Sequence, residues 1–176
     1  MTCYEDASDV AQRIISATRY DSPGAKALVH AVKFERAREA ALVMAEVMHK
    51  RLPPLPDNAI VTYIPTANNR VRQRGYDQAA LIARDFARVR RCPYIPLLAR
   101  LSGIRQVGAS AQQRREQVKG ALAVTRPALV RQQPIIVIDD VVTTGATMRE
   151  AQAILQNHQA PLVIGYCFAF APPSAS

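Results

Sequence analysis

The chain has 176 residues, 49% hydrophobic and 21% charged, which is ordinary globular usage and excludes disordered and fibrous classes. No apolar run reaches the roughly 18 residues of a membrane span, and no charged-then-apolar leader opens the chain. A cytoplasmic single domain without membrane contact is expected. The outlier is a formal charge of +9, from 23 basic against 14 acidic side chains, and it calls for an anionic partner.

Val10, Ile14 and Ile15 predict a short helix from Asp9 to about Arg19, broken at Ser22-Pro23-Gly24. Leu28, Val32, Leu42, Val43 and Val47 predict one long amphipathic helix, or two short ones, between Ala25 and Arg51. Pro53-Pro54-Leu55-Pro56-Asp57-Asn58 is a stop. The period then changes. Ala59–Ile64 is β-branched and reads as a buried strand ended by Pro65. A polar loop through Gly75 follows, then a helix over Gln78–Arg90 with Ala80, Leu81, Ala83, Phe86 and Ala87 inward. Tyr94–Leu98 and Gly120–Val124 are short strand candidates on either side of a polar loop at Ser102–Gln113. Pro134–Ile138 is the clearest buried strand, followed by a helix from Ala146 to Gln156 and a strand at Leu162–Phe168. This alternation predicts an α/β fold, a mostly parallel twisted sheet flanked by helices. Residues 1–58 are expected as a helical segment packed on a core at 59–170, with a disordered tail at 171–176.

The charge is unevenly placed. Residues 61–131 hold 14 basic and 3 acidic side chains, whereas 1–60 are balanced at 8 and 8. Nucleic acid and a small polyanion such as a phosphorylated sugar both fit that stretch. Cys3, Cys92 and Cys167 form no C-x-x-C pair, so a zinc ribbon and a disulfide framework both lack support and a reduced compartment fits best. His30, His49 and His158 have no ligand-like spacing.

The segment Ile135-Ile136-Val137-Ile138-Asp139-Asp140-Val141-Val142-Thr143-Thr144-Gly145-Ala146-Thr147 carries chemistry. A buried strand delivers two carboxylates to the carboxyl edge of a parallel sheet, where ligands of open α/β folds bind. Three threonine hydroxyls and the N–H groups of a starting helix then make an anion nest, with Gly145 free to take a positive φ. Carboxylates accept from a diol and the nest holds a phosphate, so the pair suits a ribose 5-phosphate group. Asn68-Asn69-Arg70-Val71-Arg72-Gln73-Arg74-Gly75-Tyr76-Asp77-Gln78 follows the first core strand with arginines at alternate positions, which share one side of an extended loop. Such guanidinium forks suit diphosphate oxygens.

The Ile135–Thr147 segment resembles the phosphoribosyl pyrophosphate (PRPP) loop of type I phosphoribosyltransferases. That resemblance implies Asp139 and Asp140 on the ribose hydroxyls, and Val141, Val142, Thr143, Thr144, Gly145, Ala146 and Thr147 around the 5-phosphate. Arg74, Gly75, Tyr76 and Gln78 narrow the resemblance to the ComF family, with Asp77 where the family usually has Asn. Gln106, Gly108, Ser110, Arg114 and Arg115 resemble a further ComF element, at the place of the mobile loop that covers the reaction centre in type I enzymes. The four-cysteine zinc module that many members carry at the amino terminus has only Cys3 as a counterpart.

The resemblance implies phosphoribosyl transfer from PRPP to a nitrogen nucleophile, with Asp139, Asp140, Arg74 and Arg114 at the reaction centre. Arg70, Arg72, Arg74 and Lys119 would bind the diphosphate, and Mg²⁺ would arrive with PRPP and no direct protein ligand. The alternative is a PRPP- or nucleotide-sensing protein, or an accessory of DNA uptake that binds single-stranded DNA or a partner. A homodimer is a further candidate assembly. Arg84, Arg88, Arg90, Arg91 and Arg100 are left over by the PRPP reading.

Overall fold

A computed structural model describes residues 13–34, 37–101 and 122–172. In chain order these form β1 (Ile14–Arg19), α1 (Pro23–Phe34), α2 (Glu39–Arg51), β2 (Ile60–Tyr63), α3 (Asn68–Arg74), α4 (Gln78–Arg90), β3 (Leu98–Arg100), β4 (Leu122–Val124), α5 (Pro127–Val130), β5 (Ile135–Val142), α6 (Ala146–Asn157) and β6 (Val163–Phe170). Four strands make a wholly parallel sheet in the order β1-β6-β5-β2, and β3 and β4 form a separate antiparallel ribbon.

The layering follows from β5. Ile135, Ile136, Val137 and Ile138 are all fully buried, as a central parallel strand covered on both faces must be. Alternation sends Ile136 and Ile138 into one core with Met44 and Met48 of α2 and Phe86 of α4. Ile135 and Val137 enter the other, with Met148 and Leu155 of α6. The expected α/β sheet flanked by helices is what the chain forms. No helix among the described residues is long and apolar enough to cross a membrane.

Three expectations are corrected. Ile14–Arg19 is a strand, not the end of a helix: it pairs in parallel with β6, from Ile14 against Gly165 to Arg19 against Phe170. Its β-branched residues suit that half-buried edge, and the pairing partner lies at the far end of the sequence, beyond any local window. The polar loop before Gly75 contains α3. That helix has no side-chain N-cap, but Gly75 at φ +82 ends it in the left-handed region and donates its N–H to the Val71 carbonyl at 2.7 Å. Tyr94–Leu98 shrinks to a bridge between Tyr94 and Val61, and the strand itself starts at Leu98.

Other elements keep their places with shifted ends. The region from Ala25 to Arg51 is two helices, with Pro23 opening α1 where its missing N–H costs nothing. On α4 the buried set is Gln78, Ala79, Ile82, Ala83, Asp85, Phe86 and Ala87, so Ala80 and Leu81 sit half-buried at its flank. β5 runs on to Val142, which puts both aspartates inside the strand. The Ser102–Gln113 loop, Arg114, Arg115, Lys119 and Cys3 lie outside the described residues.

Candidate functional site

Asp139 and Asp140 occupy the carboxyl end of β5, and each bends along the chain. Asp139 Oδ1 accepts from the Asp140 N–H at 2.8 Å, and Asp140 Oδ1 accepts from the Val141 N–H at 2.8 Å. Strand alternation separates them nonetheless. Asp139 lines a cleft of about 60 Å³ together with Val141 to Met148, on the side of α6. Asp140 is buried on the side of α1, where its Oδ2 lies 2.7 Å from the Lys33 ammonium without a hydrogen bond of good angle. Burial first, then the neighbouring Asp140 carboxylate, raises the Asp139 pKa well above the ordinary range, and Lys33 works against that rise.

The nest has the predicted sequence and a definite shape. Thr143, Thr144 and Ala146 are exposed, Thr147 is half-buried and Gly145 is buried. Gly145 takes φ +75 at the N-cap of α6 and offers no side-chain cap. The first turn of α6 therefore has no side-chain cap beyond a long 3.4 Å bond from the Ala146 N–H to Thr144 Oγ1. Arg149, one turn into α6, folds back and donates from Nη2 to the Thr144 carbonyl. Its cation thus stands against the loop, although the sequence motif ends at Thr147.

The arginine segment and this loop leave the same carboxyl edge of the sheet, because β2 and β5 are parallel neighbours. As a helix it does not point three arginines one way. Arg70 and Arg74, four residues apart, share a side, while Arg72 is turned away from them. Arg70 and Arg72 are exposed. Arg74 is half-buried, with Cζ 5.6 Å from the Phe34 ring centroid and a buried Nη1 that has no hydrogen-bond partner among the described residues. Tyr76 is structural: its hydroxyl donates at 2.6 Å to the Val32 carbonyl in the last turn of α1, and the Arg38 guanidinium lies 5.2 Å from its ring centroid. Asp77 is the N-cap of α4, accepting from the Ala79 and Ala80 N–H groups, and it also accepts from the Thr66 N–H at 2.7 Å and Thr66 Oγ1 at 2.9 Å. A carboxylate serves that double acceptor role better than an amide, so the departure from Asn has a local reason.

The phosphoribosyl transferase domain family matches residues 38–175. The chain belongs to that family. Among curated relatives, the DNA utilization protein YhgH of Escherichia coli O157:H7 is 31% identical over 164 residues, covering 87% of this chain and 70% of the relative. The protein of that name from Salmonella typhi is 32% identical with the same coverage. These ComF-like relatives bear out the narrower resemblance. The adenine phosphoribosyltransferase structure from Leishmania tarentolae covers 97% of this chain and 94% of its own, with a TM-score of 0.52 at 11% identity. That from Leishmania donovani gives 0.50 at 10% identity, over 94% and 85%. At such identities the likeness is one of fold.

Within this phosphoribosyl transferase domain, Arg149 lies beyond every motif read from the sequence, and Lys33, which closes the Tyr20–Phe34 segment that also resembles the ComF family, had no role assigned to it. Lys33 also follows the buried Val29 by four residues, so it falls on the buried stripe of α1 made by Ala25, Val29 and Val32. Two of the surplus arginines are structural. Arg90 donates to the His49 and Leu52 carbonyls, and Arg100 to that of Pro65. Cys167 is buried opposite Asp139 across the β5–β6 register, and burial pushes its thiol pKa up, which leaves it inert. Among the described residues no three His, Cys, Asp or Glu side chains cluster as a metal site. One cleft-facing carboxylate fits a Mg²⁺ that brings most of its oxygen ligands with it.

Proposed function

We propose that this domain binds PRPP and transfers its phosphoribosyl group to a nitrogen nucleophile with release of diphosphate. The observation that carries the reading is the cleft in which the Asp139 carboxylate faces the uncapped amino end of α6. Asp139 and Asp140 accept from the two ribose hydroxyls. Thr143, Thr144, Gly145, Ala146 and Thr147, backed by Val141 and Val142, wrap the 5-phosphate with N–H and hydroxyl donors. The bond from C1 to the diphosphate oxygen breaks with its electron pair leaving on the diphosphate. The nucleophile's lone pair forms the new C1–N bond, and its proton passes to solvent. Arg74, whose buried Nη1 has no other partner, is the described arginine best placed to meet the departing charge with Arg70 beside it. Arg114 and Lys119 are assigned to the same diphosphate from the sequence alone, and Arg72 only to the outer field. Mg²⁺ bound with PRPP would supply charge neutralisation at the diphosphate.

Diphosphate release in the presence of PRPP, Mg²⁺ and a panel of nucleobases and amines tests the transfer. One acceptor should give release in step with its own consumption. Silence across the panel, with PRPP binding intact, would turn the reading from enzyme to sensor.

A second reading has an observation of its own. Arg84 and Arg88 are exposed at i and i+4 on α4, with exposed Arg91 at its C-cap, and the curated relatives are named for DNA utilization. Single-stranded DNA held there should dissociate steeply with salt, whereas PRPP binding should respond gently.

A further inference from the structure

The arginines expected to face the diphosphate are fewer than the sequence promised, because α3 turns Arg72 away from the side shared by Arg70 and Arg74. Lys33 is the described cation in contact with the acid pair. Its side chain is 22% exposed and that of Asp140 is 8% exposed, with 2.7 Å between Nζ and Oδ2. A pair this buried is poor evidence for a stabilising role, since desolvation offsets most of the attraction. What the fold invests in is position. The last turn of α1 is held at three successive residues: the Val32 carbonyl by Tyr76, Lys33 by Asp140, and the Phe34 ring by Arg74. These ties fix an ammonium beside the carboxylate that would take a ribose hydroxyl.

We propose that Lys33 is a ligand-binding residue of this site, whose ammonium stays ion-paired with Asp140 and presents its free donors to the diphosphate of PRPP. The inference rests on the reading of the cleft given above and adds to it the residue that completes the diphosphate end. An ammonium has three donors, and a carboxylate has about four acceptor positions, so Asp140 can hold Lys33 and a ribose hydroxyl together. In PRPP the carbon bearing the diphosphate adjoins the carbon bearing the 2-hydroxyl. With Asp140 taking the 2-hydroxyl and Asp139 the 3-hydroxyl, a group paired with Asp140 lies next to the diphosphate and far from the 5-phosphate. Ribose 5-phosphate has the hydroxyls and the 5-phosphate but lacks the diphosphate, which makes it the discriminating ligand.

The test is calorimetric titration of PRPP with Mg²⁺, and of ribose 5-phosphate, into the wild-type chain, Lys33→Met and Lys33→Arg. Lys33→Met should weaken PRPP by about tenfold or more, the size of a lost charge-assisted contact, and change ribose 5-phosphate by less than about threefold. Lys33→Arg should restore most of the PRPP affinity. In the wild-type chain, acetic anhydride labelling of Lys33 relative to Lys50 should fall with PRPP and not with ribose 5-phosphate, a readout that holds even if Lys33→Met does not fold. Wild-type protein that binds neither ligand refutes the reading of the cleft itself. Wild-type protein that binds both, with Lys33→Met unchanged or equally impaired for the two, or with Lys33 labelling indifferent to PRPP, refutes the role of Lys33 alone.

Discussion

Replacing Gly145 by alanine separates backbone strain from ligand chemistry. The residue stands at φ +75 immediately before α6, and a left-handed backbone costs a non-glycine residue about 1–2 kcal/mol. A Cβ there would meet Arg149 Nη1 at 2.7 Å, Ile14 Cδ1 at 3.1 Å and Arg149 Cζ at 3.3 Å. The guanidinium is the flexible end of a side chain and would move, giving up its bond to the Thr144 carbonyl, worth about 1 kcal/mol at most. Gly145→Ala should therefore destabilise the fold by about 2–3 kcal/mol. Gly75 is the control. It has φ +82 with nothing within 4 Å of a Cβ, so Gly75→Ala carries only the backbone cost of about 1–2 kcal/mol. Urea unfolding followed by circular dichroism reads both as midpoint shifts at constant slope. Ribose 5-phosphate affinity should fall about tenfold or more in Gly145→Ala, a loss of about 1.4 kcal/mol, because the displaced loop no longer aims its N–H groups together. It should hold in Gly75→Ala. Equal destabilisation by the two substitutions, or full ligand affinity in Gly145→Ala, would refute the reasoning.

Substitutions at three further positions bear on other parts of the account. Asp139→Asn should stabilise the fold while weakening ribose 5-phosphate binding. The folded state raises the Asp139 pKa above its unfolded value, so the wild type loses stability as pH climbs from about 4 through that raised value. Thermal melting should show the variant ahead at neutral pH, with the gap closing towards pH ~4; a variant less stable at both ends contradicts this. Tyr76→Phe removes the 2.6 Å bond that satisfies the Val32 carbonyl at the end of α1, and should cost about 1–3 kcal/mol in urea unfolding. Asp77→Ala loses both the α4 cap and the two Thr66 bonds, about 2–4 kcal/mol. Asp77→Asn keeps an oxygen for the cap and loses only the acceptor facing the Thr66 N–H, about 1–2 kcal/mol; identical costs for the two would show that the Thr66 clamp contributes nothing.

What the sequence revealed was whatever a short window carries. Ile135–Ile138 is buried on both faces and reads as a strand from its composition alone, and Thr143 to Thr147 names an anion nest by its hydroxyls and glycine. α4 was legible over its whole length, Gln78–Arg90, from the spacing of Ala83, Phe86 and Ala87. What escaped depends on contacts between distant segments. Ile14–Arg19 becomes a strand only against β6. α3 buries no residue and lacks a side-chain cap, so neither periodicity nor a start signal marks it, and only Gly75 hinted at an ending helix. The consequence was chemical: alternate arginines share a side in an extended chain and diverge in a helix. Lys33 meets Asp140 across most of the chain length, so its place on an apolar stripe and in a family-like segment gave it no partner and no role.

The most direct measurement is calorimetric titration of PRPP with Mg²⁺ into the wild-type chain and into the Asp139→Asn/Asp140→Asn double variant at one fixed salt concentration. The account predicts saturable one-site binding to the wild type and a loss of about a hundredfold or more in the double variant, the combined effect of two lost charge-assisted acceptors. Equal affinity in the two proteins, or no binding to the wild type, would contradict it.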